Sequence, residues 1–287
     1  MLTREVAQAD DIRVEFVLKG AQSMYMRKHP GVAEIYSQPR VCQEASTQRF
    51  GDVILRPGWS LDLTTKDPVT GRPWNLADKQ IQARVKKLVR DTEPFCIVGS
   101  PPCTAFSPLQ ELSRAKRDPR VMQRELREAR VHIQFCLEVY EMQLRAKRHF
   151  VHEHPRGSKA WQLPEMLRFL MMPGVECTEL NMCAFGMTSR DEKGIGLVKK
   201  DTRIMSSAPE VLKRVHRKCC GGHRHVHLIS GRARAAQVYP REFCHKLCEG
   251  IAAQKKLDDL GMTARPVLSM EEMDSVATGR DKSESPL

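Results

Sequence analysis

Three places in the sequence gather side chains capable of chemistry. The first is Cys103, within Phe95-Cys-Ile-Val-Gly-Ser-Pro-Pro-Cys-Thr-Ala-Phe-Ser107. The apolar run before it reads as a buried strand, and Gly99, Pro101 and Pro102 fix a turn that holds the thiol with little backbone freedom. A thiol just past the carboxyl end of a strand stands where open α/β sheets bind ligands. A helix starting there would lower its pKa and favour the nucleophilic thiolate. The second place is Glu153, fifty residues on, at the end of the strand candidate His149-Phe-Val-His-Glu153. A carboxyl group so placed can give or take a proton. The third is His216-Arg-Lys-Cys-Cys-Gly-Gly-His-Arg-His-Val-His227. Cys219, Cys220, His223 and His225 (or His227) offer the sulfur and nitrogen donors that tetrahedral zinc takes, and Gly221-Gly222 lets the chain fold round an ion. The plainer readings are a Pro-Pro turn with a structural cysteine, a strand-end glutamate beside a basic neighbour, and a Cys/His-rich turn that packs or meets phosphate.

The first two segments carry a resemblance. Gly99-Ser-Pro-Pro-Cys-Thr-Ala-Phe-Ser107 resembles motif IV of the cytosine-C5 DNA methyltransferases, Gly-x-Pro-Pro-Cys-x-x-Phe/Trp-Ser. Phe150-Val-His-Glu-His-Pro155 resembles their motif VI, with His154 where the family has Asn. The resemblance implies that Cys103 attacks C6 of cytosine, making C5 nucleophilic toward the methyl group of S-adenosylmethionine. It also implies that Glu153 shares a proton with N3. The place of motif I, Asp-x-Phe-x-Gly-x-Gly-Gly, is taken by Glu34-Ile-Tyr-Ser-Gln-Pro-Arg-Val41, which lacks the glycines that admit a cofactor to the backbone. Cofactor contacts are expected from Tyr36, Ser37, Asp62 and the turn Gly99-Ser100-Pro101. Asp62 ends a strand, where an acid hydrogen-bonds a ribose in many nucleotide folds. Arg156 and Arg203 are the expected nucleic-acid contacts, Arg203 lying where the family has a Gln-x-Arg-x-Arg strand. Only a short stretch separates Arg203 from Gln237, so there is no room for the family's large target-recognition domain. The Cys/His stretch also resembles segments of retroelement-linked reading frames.

Positioning these groups requires strands whose ends converge. Strands are expected at Val32–Ser37, around Trp59–Leu63, at Phe95–Val98, His149–Glu153, Val175–Asn181 and Thr202–Met205. Ile81, Val85, Leu88 and Val89 repeat at helical spacing over Lys79–Asp91. Helices are also expected through Glu44 and Ala45, over Glu111–Lys147 with a break at Pro119, over Leu163–Met171, and in a closing segment Gln237–Ile251. Val14–Met26 is a weaker helix candidate. Arg190–Lys200 reads as a charged, glycine-containing loop. Alternating strands and helices predict a doubly wound, mostly parallel Rossmann-like α/β sheet, of the S-adenosylmethionine-dependent methyltransferase type by resemblance. The expected organisation is an N-terminal extension to residue 30, the α/β domain over 31–262, and a polar disordered tail over 263–287.

The chain has 287 residues, enough to bury a core unaided. The formal net charge of +12 favours a polyanionic partner, most simply DNA, because neutralising phosphates drives nucleic-acid binding. Ten irregularly spaced cysteines, a polar N-terminus and no long apolar run predict reduced thiols in a soluble cytosolic or nuclear protein, away from the membrane. Two further readings stay open. One is a methyltransferase-like fold that has lost catalysis and binds nucleic acid or protein. The other is a zinc-stabilised interaction protein. An adenine-N6 or cytosine-N4 enzyme is disfavoured, because Cys103 replaces the aromatic residue that stacks the base in those enzymes.

Overall fold

The computed structural model describes residues 27–108, 110, 117–228 and 231–263. The helix expected over Val14–Met26, part of that expected from Glu111, and the tail beyond Thr263 lie outside them. The strands are β1 (Val32–Ile35), β2 (Pro57–Leu61), β3 (Cys96–Gly99), β4 (His149–Pro155), β5 (Glu176–Asn181), β6 (Thr188–Asp191), β7 (Gly194–Leu197) and β8 (Asp201–Ser206). The α-helices are α1 (Val41–Thr47), α2 (Lys79–Thr92), α3 (Pro119–Arg145), α4 (Pro164–Leu170), α5 (Pro209–Val215) and α6 (Arg241–Asp259).

Six strands form one sheet in the order β2-β1-β3-β4-β8-β5. The first four are mutually parallel, and β8 enters antiparallel between β4 and β5. The fold class is therefore α/β with a mostly parallel mixed sheet, as the alternation predicts. Both faces of the sheet are covered at its centre, which explains why β1 and β3 are buried along their whole length and show no alternation. Along β1, Val32 joins the cluster that packs on α1, α5 and α6, whereas Ala33 and Ile35 join the cluster that packs on α2, α3 and α4. Trp59, Tyr140, Phe135, Phe150 and Phe243 are among the largest fully buried side chains, each contributing about 1.5–3 kcal/mol by leaving water.

Local signals set the ends of the elements. The Asp78 carboxylate accepts from the backbone of Gln80 (2.7 Å) and starts α2. Pro119 marks the expected break: Arg117 and Asp118 are not helical, and the proline occupies the first turn of α3, where its missing N–H costs nothing. A Cβ at Gly250 would lie 2.5 Å from Val211 Cα, so this glycine lets α5 and α6 approach closely. The loop expected over Arg190–Lys200 is largely a hairpin: β6 and β7 pair antiparallel, with Asp191 opposite Gly194. Two glycines among so few apolar residues hide its strand pattern. Arg224 holds it from outside, donating to Asp191 (2.6 Å) and to the Gly194 carbonyl (2.9 Å). No helix among the described residues is long and apolar enough to cross a membrane, and all ten cysteines are free.

Register fixes where chemistry can occur. Ile35 lies opposite Leu61 and Gly99, and Gly99 opposite His152. The carboxyl ends of the parallel strands thus form one edge, and Tyr36, Asp62, Ser100 and Glu153 stand at or just past it.

Candidate active site

A cavity of ≈ 240 Å³ opens at this edge. Cys103 and Glu153 both line it, together with Tyr36, Asp62, Ser100 and Pro101. Both expected reactive groups and four of the six expected cofactor contacts therefore share one pocket.

Cys103 is delivered by the turn after β3. Ser100 ties that turn to β1, its backbone N–H donating to Ile35 O (3.3 Å) and its hydroxyl to Tyr36 O (3.2 Å). Beyond Cys103 comes a single 3-10 turn, Thr104–Phe106, anchored by buried Phe106. The α-helix that would depress the thiol pKa does not start there. Burial instead pushes the Cys103 thiol up, the Glu153 charge adds to the rise, and Lys200 opposes it. Gly99 does not line the pocket. It lies beneath the pocket, and a Cβ on it would stand 2.1 Å from the Tyr140 hydroxyl.

Glu153 is buried and held from two sides. The Tyr239 hydroxyl donates to Oε2 (2.9 Å), and Lys200 Nζ lies 3.3 Å from Oε1. Lys200 also sits over the Tyr239 ring (5.8 Å) and has a φ of +27°, which a side-chain-bearing residue adopts only under constraint. Next along β4, His154 is fully enclosed with no partner for Nε2, and burial pushes its pKa down to about 4.

The cofactor half has two characters. Asp62 lines the pocket, with Oδ1 accepting from the Thr64 backbone (2.9 Å) and hydroxyl (2.5 Å). Beside it the apolar side chain of Leu63 is 62% exposed, and Trp74 forms an adjoining wall. The Tyr36 hydroxyl meets His132 Nδ1 at 3.1 Å, and burial keeps His132 below the usual histidine pKa. Ser37 does not line the pocket. Its hydroxyl turns to Gln38 O (2.7 Å). Where the family has glycines, Glu34 instead reaches under the loop, accepting from Cys42 N (2.8 Å) and Ser60 (3.2 Å), with its pKa raised by burial.

The expected nucleic-acid contacts lie outside the pocket. Arg156 and Arg203 both grip Glu179, at 2.9 and 3.0 Å, with Lys218 at 3.2 Å. Their hydrogen bonds, led by Arg203, hold the Glu179 carboxyl down at about 2. The basic residue that the segment Lys199–Arg203 sends into the pocket is Lys200, and Arg203 lies over Trp161 (5.3 Å). The expected metal set also changes. Cys219, His223 and His225 converge, but the fourth member is Cys183, while exposed Cys220 turns to Gly221 O (3.5 Å).

Sequence reasoning therefore missed Lys200, Tyr239, His132 and Cys183. Lys200 ends the segment read as a charged loop, and Tyr239 lies within the segment read as closing the fold. Cys183, in Met182-Cys-Ala-Phe185, belongs to no spacing pattern, and only the fold brings it to the others. No protein-family model and no curated protein matches the sequence.

Proposed function

We propose that this chain transfers a methyl group from S-adenosylmethionine to C5 of cytosine in DNA through a covalent Cys103 adduct. The observation that carries the reading is the single pocket that takes in Cys103, Glu153 and Asp62 at the carboxyl ends of the parallel strands. The cofactor fits the residues present: Asp62 stands at the ribose position, exposed Leu63, backed by buried Trp74, offers apolar surface to a purine, and Tyr36, Ser100 and Pro101 lead from there to the thiol. The mixed sheet, with an antiparallel strand beside its parallel run, is compatible with the methyltransferase type. Bound S-adenosylmethionine supplies an electrophilic methyl group.

The chain's own residues do the rest. Cys103 Sγ bonds to C6, and the C5=C6 electron pair moves onto C5. Glu153, sharing a proton with N3, draws the developing negative charge from the ring. After methylation C5 gives its proton to water, the C5–H electron pair re-forms the C5=C6 double bond, and Cys103 leaves C6 as a thiolate that takes back from water the proton its thiol released at the start. Glu153 also gates the thiol: burial chiefly, and then the Glu153 charge, raise the Cys103 pKa in the free protein, and engagement with N3 removes the Glu153 share of that restraint. Lys200 keeps Glu153 oriented and favours the thiolate. The target base must leave the stack to reach a pocket this small. The net charge of +12 and the excess of cations over Glu179 beside β4 support a phosphate backbone as the larger partner.

A second reading, a binding protein on a catalytically lapsed methyltransferase fold, is favoured by the glycine-free loop after β1 and by the Tyr239 hydrogen bond that already occupies Glu153. Calorimetric titration with S-adenosylmethionine, followed by methyl transfer to single-stranded and duplex DNA, separates the two. Micromolar binding by both wild type and Cys103→Ser is expected, with transfer reduced more than about 1,000-fold in the variant. No cofactor binding at millimolar concentration sinks the enzyme reading.

A further inference from the structure

Cys183, Cys219, His223 and His225 lie outside the pocket and take no part in the proposed reaction. Their ligand atoms all lie within 4.8 Å of one another. Cys219 Sγ is 3.4 Å from His223 Nε2 and 3.5 Å from His225 Nε2, and the two Nε2 atoms are 3.0 Å apart. A zinc ion with bonds of about 2.0–2.1 Å to nitrogen and about 2.3 Å to sulfur would set tetrahedron edges of roughly 3.3–3.8 Å. The three separations among Cys219, His223 and His225 lie close to those edges, and Cys183 Sγ falls within 4.8 Å of all three ligand atoms. Among the described residues, the Cys219, His223 and His225 side chains meet one another, and the Gly221 N–H also donates to Cys219 Sγ (3.4 Å). The donor set, two thiols and two imidazoles, suits zinc better than magnesium or calcium.

The surrounding backbone is built to hold this shape. Cys183 is buried and begins the segment after β5, while the other three come from the loop after α5. Gly221 and Gly222 adopt φ of +75° and +71°, the left-handed turn that brings His223 and His225 back over Cys219. Asn181 Oδ1 accepts from Cys219 N (2.8 Å), and Leu197 pairs with His225 as a one-rung bridge. These are the outer contacts that orient metal ligands.

We propose that Cys183, Cys219, His223 and His225 bind one structural zinc ion, which clasps the 219–225 loop and the β6–β7 hairpin to the end of β5. The clasp has a consequence for the pocket. Asn181 Nδ2 also donates to Asp201 Oδ1 (2.5 Å), and Met182 N donates to Lys199 O (2.7 Å). The ion therefore braces the segment that carries Lys200 in its constrained backbone, acting as a positioning element for Glu153.

The test uses the full chain purified without a histidine tag. Elemental analysis is expected to give one zinc per chain. Cobalt replacement should give the intense visible bands of a four-coordinate site and a thiolate-to-cobalt charge-transfer band. Cys220→Ser should keep the full equivalent of metal, whereas Cys183→Ser should lose it. Removing the ion with a chelator should lower Tm by roughly 5–15 °C and slow alkylation of Cys103. Should Cys183→Ser fail to fold, the wild-type cobalt spectrum and Cys220→Ser still decide. Metal-free wild type with a featureless cobalt spectrum overturns the proposal. So does loss of metal in Cys220→Ser with retention in Cys183→Ser. Neither result depends on methyl transfer, so the clasp and the enzyme reading can fail separately.

Discussion

The pocket and the Cys/His clasp both concentrate reactive side chains, and they differ in what those side chains face. In the clasp Cys219, His223 and His225 face one another at 3.0–3.5 Å and Cys183 lies within 4.8 Å of them, a space that suits an ion. In the pocket Cys103, Glu153 and Asp62 face a shared space of ≈ 240 Å³ and are steadied from behind, by Ser100, Tyr239 and Lys200. Side chains that converge with nothing between them mark an ion site. Side chains held apart round a void by other residues mark a site for a molecule. The two regions differ in their source of order: the clasp depends directly on its metal, whereas the pocket rests on protein packing and feels the metal only through the segment that carries Lys200.

The sharpest test of that difference is beneath the pocket. A Cβ at Gly99 would collide with the Tyr140 hydroxyl, which is itself hydrogen-bonded to His152 Nδ1 (3.1 Å). Gly99→Ala should therefore cost about 3 kcal/mol, read as a fall in the denaturation midpoint, with zinc content unchanged. Adding Tyr140→Phe removes the colliding oxygen and should restore most of that loss, less about 1 kcal/mol for the orphaned imidazole. The double variant should also bind S-adenosylmethionine as the wild type does. If Gly99 is needed for close approach of the cofactor, the double variant will fold but not bind. A single Gly99→Ala variant as stable as wild type would break the packing account.

A smaller effect separates the two regions by pH. His154 has its pKa pushed down to about 4 by burial, against about 6.5 for an unfolded histidine. Between those values the unfolded chain binds a proton that the folded chain refuses, so stability rises with pH across that window and is flat for this group outside it. The span is about 2 kcal/mol once partial water access is allowed for. His154→Asn, which places the family's residue at this position, should flatten the pH 4–6.5 slope by close to one proton. Buried His152, also shifted down, will leave a remainder. An unchanged slope in His154→Asn would show that the imidazole is already charged or exposed.

How far the sequence disclosed these regions follows from the range of the interactions involved. The strands of the parallel sheet were legible because burial on both faces leaves continuous apolar runs such as Phe95–Val98. The pocket's reactive pair was legible because the turn chemistry of Gly99-Ser-Pro-Pro-Cys103 and the strand end at Glu153 are local. The β6–β7 hairpin was not, since Gly194, Gly196 and the charged turn erase the alternation and Arg224 supplies the restraint from far along the chain. The neighbours of Gly99 and Arg203 were hidden for the same reason: Tyr140 and Glu179 are distant from them in sequence. The clasp was half visible, with three ligands in one short loop and Cys183 reachable only through the sheet.

The finest distinction between the regions concerns which thiols are open to reagents and what governs them. In the zinc-bound clasp the metal should shield Cys219. In the pocket neighbouring charges should govern Cys103, whose pKa is raised by burial and then by Glu153 and lowered by Lys200. Below the thiol pKa the alkylation rate follows the thiolate fraction, partly offset because a less basic thiolate is a weaker nucleophile. Glu153→Gln removes the opposing charge, lowers the thiol pKa and should speed iodoacetamide labelling of Cys103 about two- to fivefold at pH 8. Lys200→Met acts in the opposite direction and should slow labelling by a similar factor. With ten cysteines present, the rates must be read peptide by peptide by mass spectrometry, with Cys219 in the same digest as the internal contrast. Equal rates for Cys103 in all three proteins would mean that burial alone sets its reactivity, and the gating role given to Glu153 would go with it.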